Sequence, residues 1–314
     1  MLEKLDRFQQ RHSTLALPLA VVKKFSDDQA GPLAALIAYY GFFSVFPLLL
    51  LFTTVLGFVL HGNPSAQHAV LHSALKQFPI VGNQIQAHAL TGSGLALAVG
   101  IVGTVFSGLG VTLAAQNAFN RVYAVPKRER PNFISARLRG LGMLLVLGTL
   151  QAVSTAASGL VSGGFGGAGL RIAGIALSLA MNLVLFFATF RLLTDDSVPT
   201  RELWPGVITA AILWEILQAV GGVYIGHVVR GASNTYGTFA TVIGLITWLH
   251  LGAQAVVYAA ELNTVLTHDL WPRSLWGAER EEDRRTLTGI ARTEEKEPPQ
   301  RVDVRFGSER ETGD

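Results

Sequence analysis

Cysteine is absent from the chain, and charged residues make up only 15% of its 314 residues. The lack of cysteine excludes disulfides, a thiolate nucleophile and cysteine-ligated zinc or iron–sulfur sites. The shortage of charge argues against an ordinary soluble protein, in which about 25% of residues are charged. Of the 47 charged residues, 19 lie within 279–314, which leaves 28 for the first 278 residues. That is too few to keep a soluble surface in solution.

Catalytic motifs are also missing from the sequence. We find no phosphate-binding loop, no G-x-S-x-G nucleophile elbow and no G-x-G-x-x-G followed by an acidic partner. His68 and His72 have the i, i+4 spacing that could hold a metal, but they lack the acidic partner of an H-E-x-x-H site. The sequence therefore predicts a protein that is not an enzyme and that holds no cofactor and no metal.

Long apolar stretches dominate the chain instead. Six of them are long enough for a helix to cross the hydrocarbon core of a bilayer, which takes about 20 residues. They cover 33–60, 95–119, 138–161, 172–190, 203–226 and 239–266. These spans must be helices, because an open strand in lipid leaves backbone groups unpaired. The prediction is an all-α polytopic membrane protein with a six-helix transmembrane domain over 33–270.

Lysine and arginine are distributed unevenly between the segments that connect these spans. With the N-terminus inside, 22 of the 25 basic residues fall on the inner side and 3 on the outer side. The positive-inside rule then predicts that both termini are cytoplasmic. We expect an amphipathic helix on the cytoplasmic surface within 1–32 and an interfacial helix on the outer face within 64–90. Residues 271–314 are predicted to be a charged, disordered cytoplasmic tail.

Polar residues form stripes on the predicted spans. On the sixth helix they fall within an arc of about 80°, and other helices carry similar faces. We interpret these faces as the lining of a polar path that contacts a substrate. The candidate residues are Glu261, Asn263, Tyr258, Gln254 and His250 on the sixth helix, Glu215 on the fifth, Asn182 and Arg171 on the fourth, and Tyr40 on the first.

Each of these polar residues also has a structural interpretation. Small and hydrogen-bonding side chains pack membrane helices together. Glu215 lies near the middle of its span, where an unpaired carboxylate is costly. Two interpretations stay open for it: a functional role, or an interhelical hydrogen bond that it makes as a neutral acid. Glu261 lies nearer the cytoplasmic end, where a structural role is equally open. Arg171 is interpreted first as a side chain that reaches the outer surface.

Five motifs resemble the YihY/virulence factor BrkB family of bacterial inner-membrane proteins. They are AALIAYY at 34–40 with FP at 46–47, NAFNRVY at 117–123, WPG at 204–206 with Trp214, YG at 236–237, and YAAELN at 258–263. The resemblance covers residues 20–270 in matching order and spacing. It implies six membrane helices and roles in the export or flipping of lipid or envelope components. Glu215 lies outside that family's pattern. Some members carry a ribonuclease BN label, which this sequence does not support, because it has no metal-ligand cluster of a soluble nuclease.

The resulting hypothesis is an integral inner-membrane protein that transports or flips a lipid or another envelope component. Polar helix faces would shelter a headgroup while the apolar chains stay in the bilayer. The alternative is a non-transporting membrane scaffold, or a regulatory or virulence-associated membrane protein whose tail binds a partner. Membrane lipids are the expected partners, and a homo-oligomer is left open. No nucleic-acid partner is expected, because the basic residues lie in loops beside apolar segments.

Overall fold

The computed structural model describes residues 2–59, 94–162, 168–194, 198–224, 230–275 and 280–306. Every regular element in these ranges is helical. The helices are α1 (Leu2–Arg11), α2 (Ser13–Asp27), α3 (Ala30–Val59), α4 (Gly94–Val122), α5 (Phe133–Ser162), α6 (Ala168–Leu193), α7 (Trp204–Tyr224), α8 (Arg230–Thr267) and α9 (Glu281–Arg292). Short 3-10 turns at Lys127–Glu129 and Thr200–Leu203 precede α5 and α7.

Residues in the left-handed conformation end three of the helices. Gln29 follows α2, Ala124 follows α4 and Asp269 follows α8, with φ angles of 54°, 51° and 50°. Such a residue turns the chain so that the next N–H groups reach the free carbonyls of the last helical turn. After α8, for example, the N–H of Leu270 donates to the carbonyl oxygen of Val265 at 3.0 Å.

Five helices among the described residues are long and apolar enough to cross a membrane. Their apolar portions are Ala30–Val55, Gly94–Val122, Phe133–Gln151, Thr200–Gly221 and Val242–Thr267. They confirm the predicted all-helical, polytopic membrane fold. A shorter apolar helix covers Leu179–Leu193, within the fourth predicted span. The count of six spans and the orientation therefore stay predictions, and the predicted outer helix within 64–90 lies outside the described residues.

The helices pack most tightly at the end of the bundle that carries both terminal segments. Helix α3 packs along α4 and α8, and α8 also contacts α7 and α2. At this end the side chains of Phe119, Phe190 and Val257 are at most 1% exposed. Toward the other end of α4, Leu95 and Phe106 are 79% and 83% exposed. Large exposed apolar side chains of this kind are typical of a surface that contacts lipid.

Helix α2 corresponds to the helix expected in the N-terminal segment, and one of its faces is buried. Ala20 packs with Val265 and Leu270 at the end of α8. Leu15 and Val22 are exposed on another face of α2. The helix therefore has one apolar face that packs on the bundle and one that is free for contact with the membrane surface.

The tail differs from the sequence-based expectation. The sequence predicts disorder for 271–314, whereas the structure has helix α9 within this segment. Asp283, in the first turn of α9, is buried and accepts hydrogen bonds from Lys23 Nζ at 2.8 Å and from Arg273 Nε at 2.7 Å. The prediction of disorder is wrong for α9, because a composition argument cannot see partners that lie up to 260 residues away.

The start of α7 approaches α8 closely at Gly206. The backbone N–H of Gly206 donates to Asn263 Oδ1 at 2.6 Å. A Cβ at position 206 would lie 2.5 Å from Asn263 Nδ2 and 2.6 Å from the carbonyl oxygen of Ala259. Both distances are far below an ordinary van der Waals contact, so only glycine allows this helix separation.

Gly206→Ala should lower the stability of the detergent-solubilised protein by about 1–3 kcal/mol, because α7 must move away from α8 to admit the methyl group. The matched control is Gly142→Ala in α5, where an added Cβ meets nothing within 4 Å. That change should leave stability unchanged or slightly raised, because alanine is the better helix former. Thermal unfolding followed by circular dichroism compares the two, and equal stability would contradict the close approach.

Asp283→Asn should loosen α9. Burial raises the pKa of the Asp283 carboxyl, but hydrogen bonds from Lys23 and Arg273 lower it more, so the pKa lies below its ordinary value. A depressed folded-state pKa means that the stabilisation is present above the unfolded carboxyl pKa and is lost as pH falls through the folded value. At neutral pH we expect the amide hydrogens of α9 to exchange faster in the variant than in the unaltered chain. In the unaltered chain, the protection of α9 should be lost only in acid.

The control for this prediction is Asp303→Asn, because the Asp303 side chain is 80% exposed and its ion pair with Arg305 is on the surface. This substitution should leave exchange over α9 unchanged, since exposed pairs contribute little. Equal exchange over α9 in the two variants would show that Asp283 does not anchor the helix.

Candidate functional site

A buried lysine connects several segments at the terminal end of the bundle. Lys24, near the end of α2, is 3% exposed. Its ammonium group donates hydrogen bonds to Asp28 Oδ2 at 2.5 Å, to Glu261 Oε2 at 2.8 Å and to the carbonyl oxygen of Val122 at 2.8 Å. An ammonium group has three N–H donors, so all of them are used. Lys24 thereby joins α2 and its C-terminal cap Asp28 to the end of α4 and to α8.

Two carboxylates face this single ammonium group. Asp28 and Glu261 are 1% and 0% exposed, and Arg121 Nε lies 4.0 Å from Asp28 Oδ1. Burial by itself would lower the pKa of Lys24, but the nearby charges of Glu261 and Asp28 raise it more, so the pKa lies above its ordinary value. The lysine therefore stays charged. Removal of either sign would leave the other buried and unpaired, which is costly.

Asn263 forms a second polar centre, two residues beyond Glu261 on α8. Besides accepting the N–H of Gly206, its side chain donates from Nδ2 to Tyr123 Oη at 3.1 Å and to the carbonyl oxygen of Leu203 at 3.2 Å. Asn263 is 1% exposed. Three of the sequence motifs, at 117–123, 204–206 and 258–263, therefore meet at this one amide.

Tyr258 and Tyr40, both predicted to line a polar path, take part in packing. The ring of Tyr258 stacks on Phe25 of α2, with the centroids 3.8 Å apart and the planes inclined by 7°. Tyr40 is 37% exposed. Its ring lies against α4, where a Cβ at Gly110 would come within 2.5 Å of it.

Asn182 and Glu215 contact each other, away from the Lys24 cluster. Asn182 Nδ2 on α6 donates to Glu215 Oε1 on α7 at 2.7 Å, and Glu215 is exposed. His250 and Gln254 are half-buried on α8. Arg171 lies outside the residues whose side chains are described.

The predicted polar residues are therefore only partly brought together. Glu261 and Asn263 lie close on α8 and belong to neighbouring networks, and Asn182 meets Glu215. Among the described contacts, Tyr40 joins neither group. A functional role for the nine predicted residues stays a prediction.

A cavity of about 770 Å³ lies beside Lys24 and Asp28. Its other walls are the end of α8, one face of α9 and the segment 301–303, and none of the nine predicted residues lines it. His268 does, and burial, followed by the nearby charge of Lys24, lowers the pKa of its imidazole, which favours the neutral ring. Within the described ranges, no group of three or more His, Asp or Glu residues could hold a metal ion.

Lys24 and Asp28 are the site residues that sequence reasoning misses. Lys24 reads as one of the cytoplasmic basic residues, and Asp28 reads as part of the start of the first span. Two signals were present in the sequence. Lys24 and Asp28 have the i, i+4 spacing of a helical ion pair, and Glu261 is an acid inside an apolar segment that calls for a cationic partner.

Lys24→Met should destabilise the protein by about 3–5 kcal/mol, because it leaves Glu261 buried without a cation and leaves Asp28 only the more distant Arg121. Glu261→Gln should cost less, because Lys24 keeps Asp28 as its partner. The control is Lys127→Met, since the pair of Lys127 with Glu294 is 40% and 56% exposed and should contribute less than about 1 kcal/mol. Unfolding of the three detergent-solubilised variants gives the ranking. Equal losses for Lys24→Met and Glu261→Gln would contradict a cluster built on one ammonium group.

Relatives of this chain are membrane proteins from bacteria. A protein named UPF0761 membrane protein from Azotobacter vinelandii is 28% identical over 259 residues, which cover 76% of this chain and 60% of the relative. The protein of that name from Pseudomonas aeruginosa is 27% identical over 80% of this chain and 62% of its own length. A third, from Pseudoalteromonas translucida, is 26% identical over 78% of this chain and 84% of its own length. This chain thus spans less than two thirds of the first two relatives.

No solved structure matches the chain. The family model described as Virulence factor BrkB matches residues 21–283, which include the Lys24 cluster and the Asn263 centre. This match covers most of the chain and agrees with the motif resemblance noted in the sequence. The chain therefore belongs to the virulence factor BrkB family of membrane proteins.

Proposed function

We propose that this protein is a multi-pass protein of the bacterial inner membrane that moves a lipid or another amphipathic envelope component between the two leaflets. The headgroup follows polar helix faces while the apolar chains remain in the bilayer. The family membership supports the membrane part of this proposal, and the relatives' names identify no substrate.

The observation that carries the proposal is the contact between Asn182 and Glu215. Glu215 lies midway along α7. Its exposed side chain stands between Ile212 and Ile216, which are 54% and 53% exposed. A carboxyl group among lipid-facing apolar side chains at this depth is costly unless water or a polar group accompanies it. Asn182 supplies one such group, and a headgroup that passes along α6 and α7 supplies another.

We assign the end of the bundle with both terminal segments to the cytoplasm. The basic residues of the sequence support this assignment through the positive-inside rule, by 22 to 3 in the predicted topology. The ion pair between Lys23 of α2 and Asp283 of α9 supports it as well, because it holds both terminal segments at one end of the bundle.

Reconstitution into liposomes tests the proposal. With a headgroup-labelled fluorescent phospholipid, the protein should accelerate access of a membrane-impermeant reductant to inner-leaflet label beyond the rate in protein-free vesicles. Glu215→Gln should slow this exchange about tenfold, which corresponds to the loss of one polar contact worth about 1.4 kcal/mol. Ile216→Ala is the matched control, because it alters the exposed neighbour and keeps the Asn182 contact, and it should leave the rate unchanged.

Two outcomes would count against the proposal. A rate equal to that of protein-free vesicles, with both anionic and zwitterionic phospholipids, would contradict transport and favour the non-transporting scaffold or regulatory protein. Equal slowing by Ile216→Ala and Glu215→Gln would contradict the role of the carboxyl group.

A further inference from the structure

The cavity beside Lys24 lies where α8 ends, at the end of the bundle that carries both terminal segments. Lys24 and Asp28 contribute one side of it, and α9 and residues 301–303 contribute another. Its volume is about 770 Å³. Pockets for small organic ligands measure about 300–1,000 Å³. The cavity therefore has room for an organic molecule and is much larger than a simple inorganic ion needs.

Every acidic side chain on the cavity wall already has a basic partner. The pairs are Asp28 with Lys24 at 2.5 Å, Glu129 with Arg128 at 3.2 Å, Glu295 with Arg128 at 3.1 Å, and Asp303 with Arg305 at 3.5 Å. These carboxylates are therefore engaged, and none of them is within ion-pair distance of the remaining arginines that line the cavity near α9 and 301–303.

Two of those arginines have no such partner. Arg292, at the end of α9, and Arg301 both line the cavity. Within the part of the chain that the structure describes, neither guanidinium group makes a hydrogen bond or an ion pair, whereas Arg285 pairs with Glu281 at 3.4 Å. The cavity wall thus carries two guanidinium groups that no described ion pair engages, and its five basic side chains exceed its four acidic ones.

Apolar side chains complete the wall. Leu270 follows α8, Ile290 lies in the last turns of α9 and Val302 lies next to Arg301, and all three line the cavity. The cavity therefore combines two guanidinium groups with an apolar surface. This combination suits a ligand that has a strongly anionic end and an organic body.

We propose that this cavity binds a phosphorylated organic anion, with its phosphate groups on Arg292 and Arg301 and its organic body against the apolar wall. Guanidinium groups bind phosphate oxygens through paired, charge-assisted hydrogen bonds. A soluble nucleotide and a phospholipid headgroup share this chemistry. Both arginines lie beyond the family match at 21–283, and the proposal does not depend on transport past Glu215.

Adenosine diphosphate is the soluble probe, measured by titration calorimetry on the full-length protein in detergent. It should bind at least about tenfold more tightly than adenosine, because only the diphosphate pairs with the arginines. The affinity should fall as salt rises, because the two guanidinium groups are exposed to solvent. A second experiment tests a lipid ligand, with the protein in nanodiscs of anionic phosphatidylglycerol or zwitterionic phosphatidylcholine. It measures the binding of a fluorescent anionic phospholipid to the protein.

The test variant is the double substitution Arg292→Gln and Arg301→Gln, which should weaken binding at least about tenfold. The matched control is Arg284→Gln, also on α9. Arg284 lies over the ring of Phe306, 5.4 Å from its centroid, and does not line the cavity. All of these side chains are exposed, so the variants should unfold at the same temperature as the unaltered chain, which is measured alongside.

The outcomes separate the sources of the ligand. Loss of nucleotide binding in the double variant supports a soluble ligand, and loss of anionic-lipid binding alone supports a headgroup. The proposal is overturned if neither probe binds, or if the double variant binds both probes as tightly as Arg284→Gln does.

Discussion

The terminal end of this fold depends on one buried ammonium group. Lys24 lies on α2, which precedes the first long apolar helix, yet its hydrogen bonds reach Glu261 on α8 and the last carbonyl of α4. In this environment a cation and its carboxylates must stay together, because either one alone would be buried without compensation. The position of α2, the turn at Asp28 that leads to α3 and one wall of the cavity all follow from this requirement.

Close helix approach is the second constraint. The hydrophobic effect does not drive helices together within lipid, so small residues and interhelical hydrogen bonds set their geometry. Gly206 and Asn263 combine both devices at one point, where the absence of a side chain admits a hydrogen bond of 2.6 Å. The same amide holds Tyr123. A single polar residue of α8 thus connects the start of α7 and the residue that follows α4.

The tail belongs to the folded structure because its charges find partners. Asp283 of α9 binds Lys23 and Arg273, and Arg128 pairs with Glu295 beyond α9. Part of the charge in 280–306, which in the sequence looks like a sign of disorder, forms ion pairs to segments that follow α4 and precede α3. A cavity forms where these segments enclose Lys24 and Asp28.

Hydrophobicity along the chain was enough to determine the class of fold and to locate five long apolar helices, because a bilayer requires long apolar helices and allows few charges within them. The motifs were enough to indicate the family. Only the tertiary structure decided what Glu261 and Asn263 contact, since their partners Lys24 and Gly206 lie 237 and 57 residues away in sequence. The packing of α9 on the bundle and the presence of the cavity likewise depend on ion pairs between residues distant in sequence. Local sequence determines where helices form, but only long-range contacts determine how the helices pack against each other.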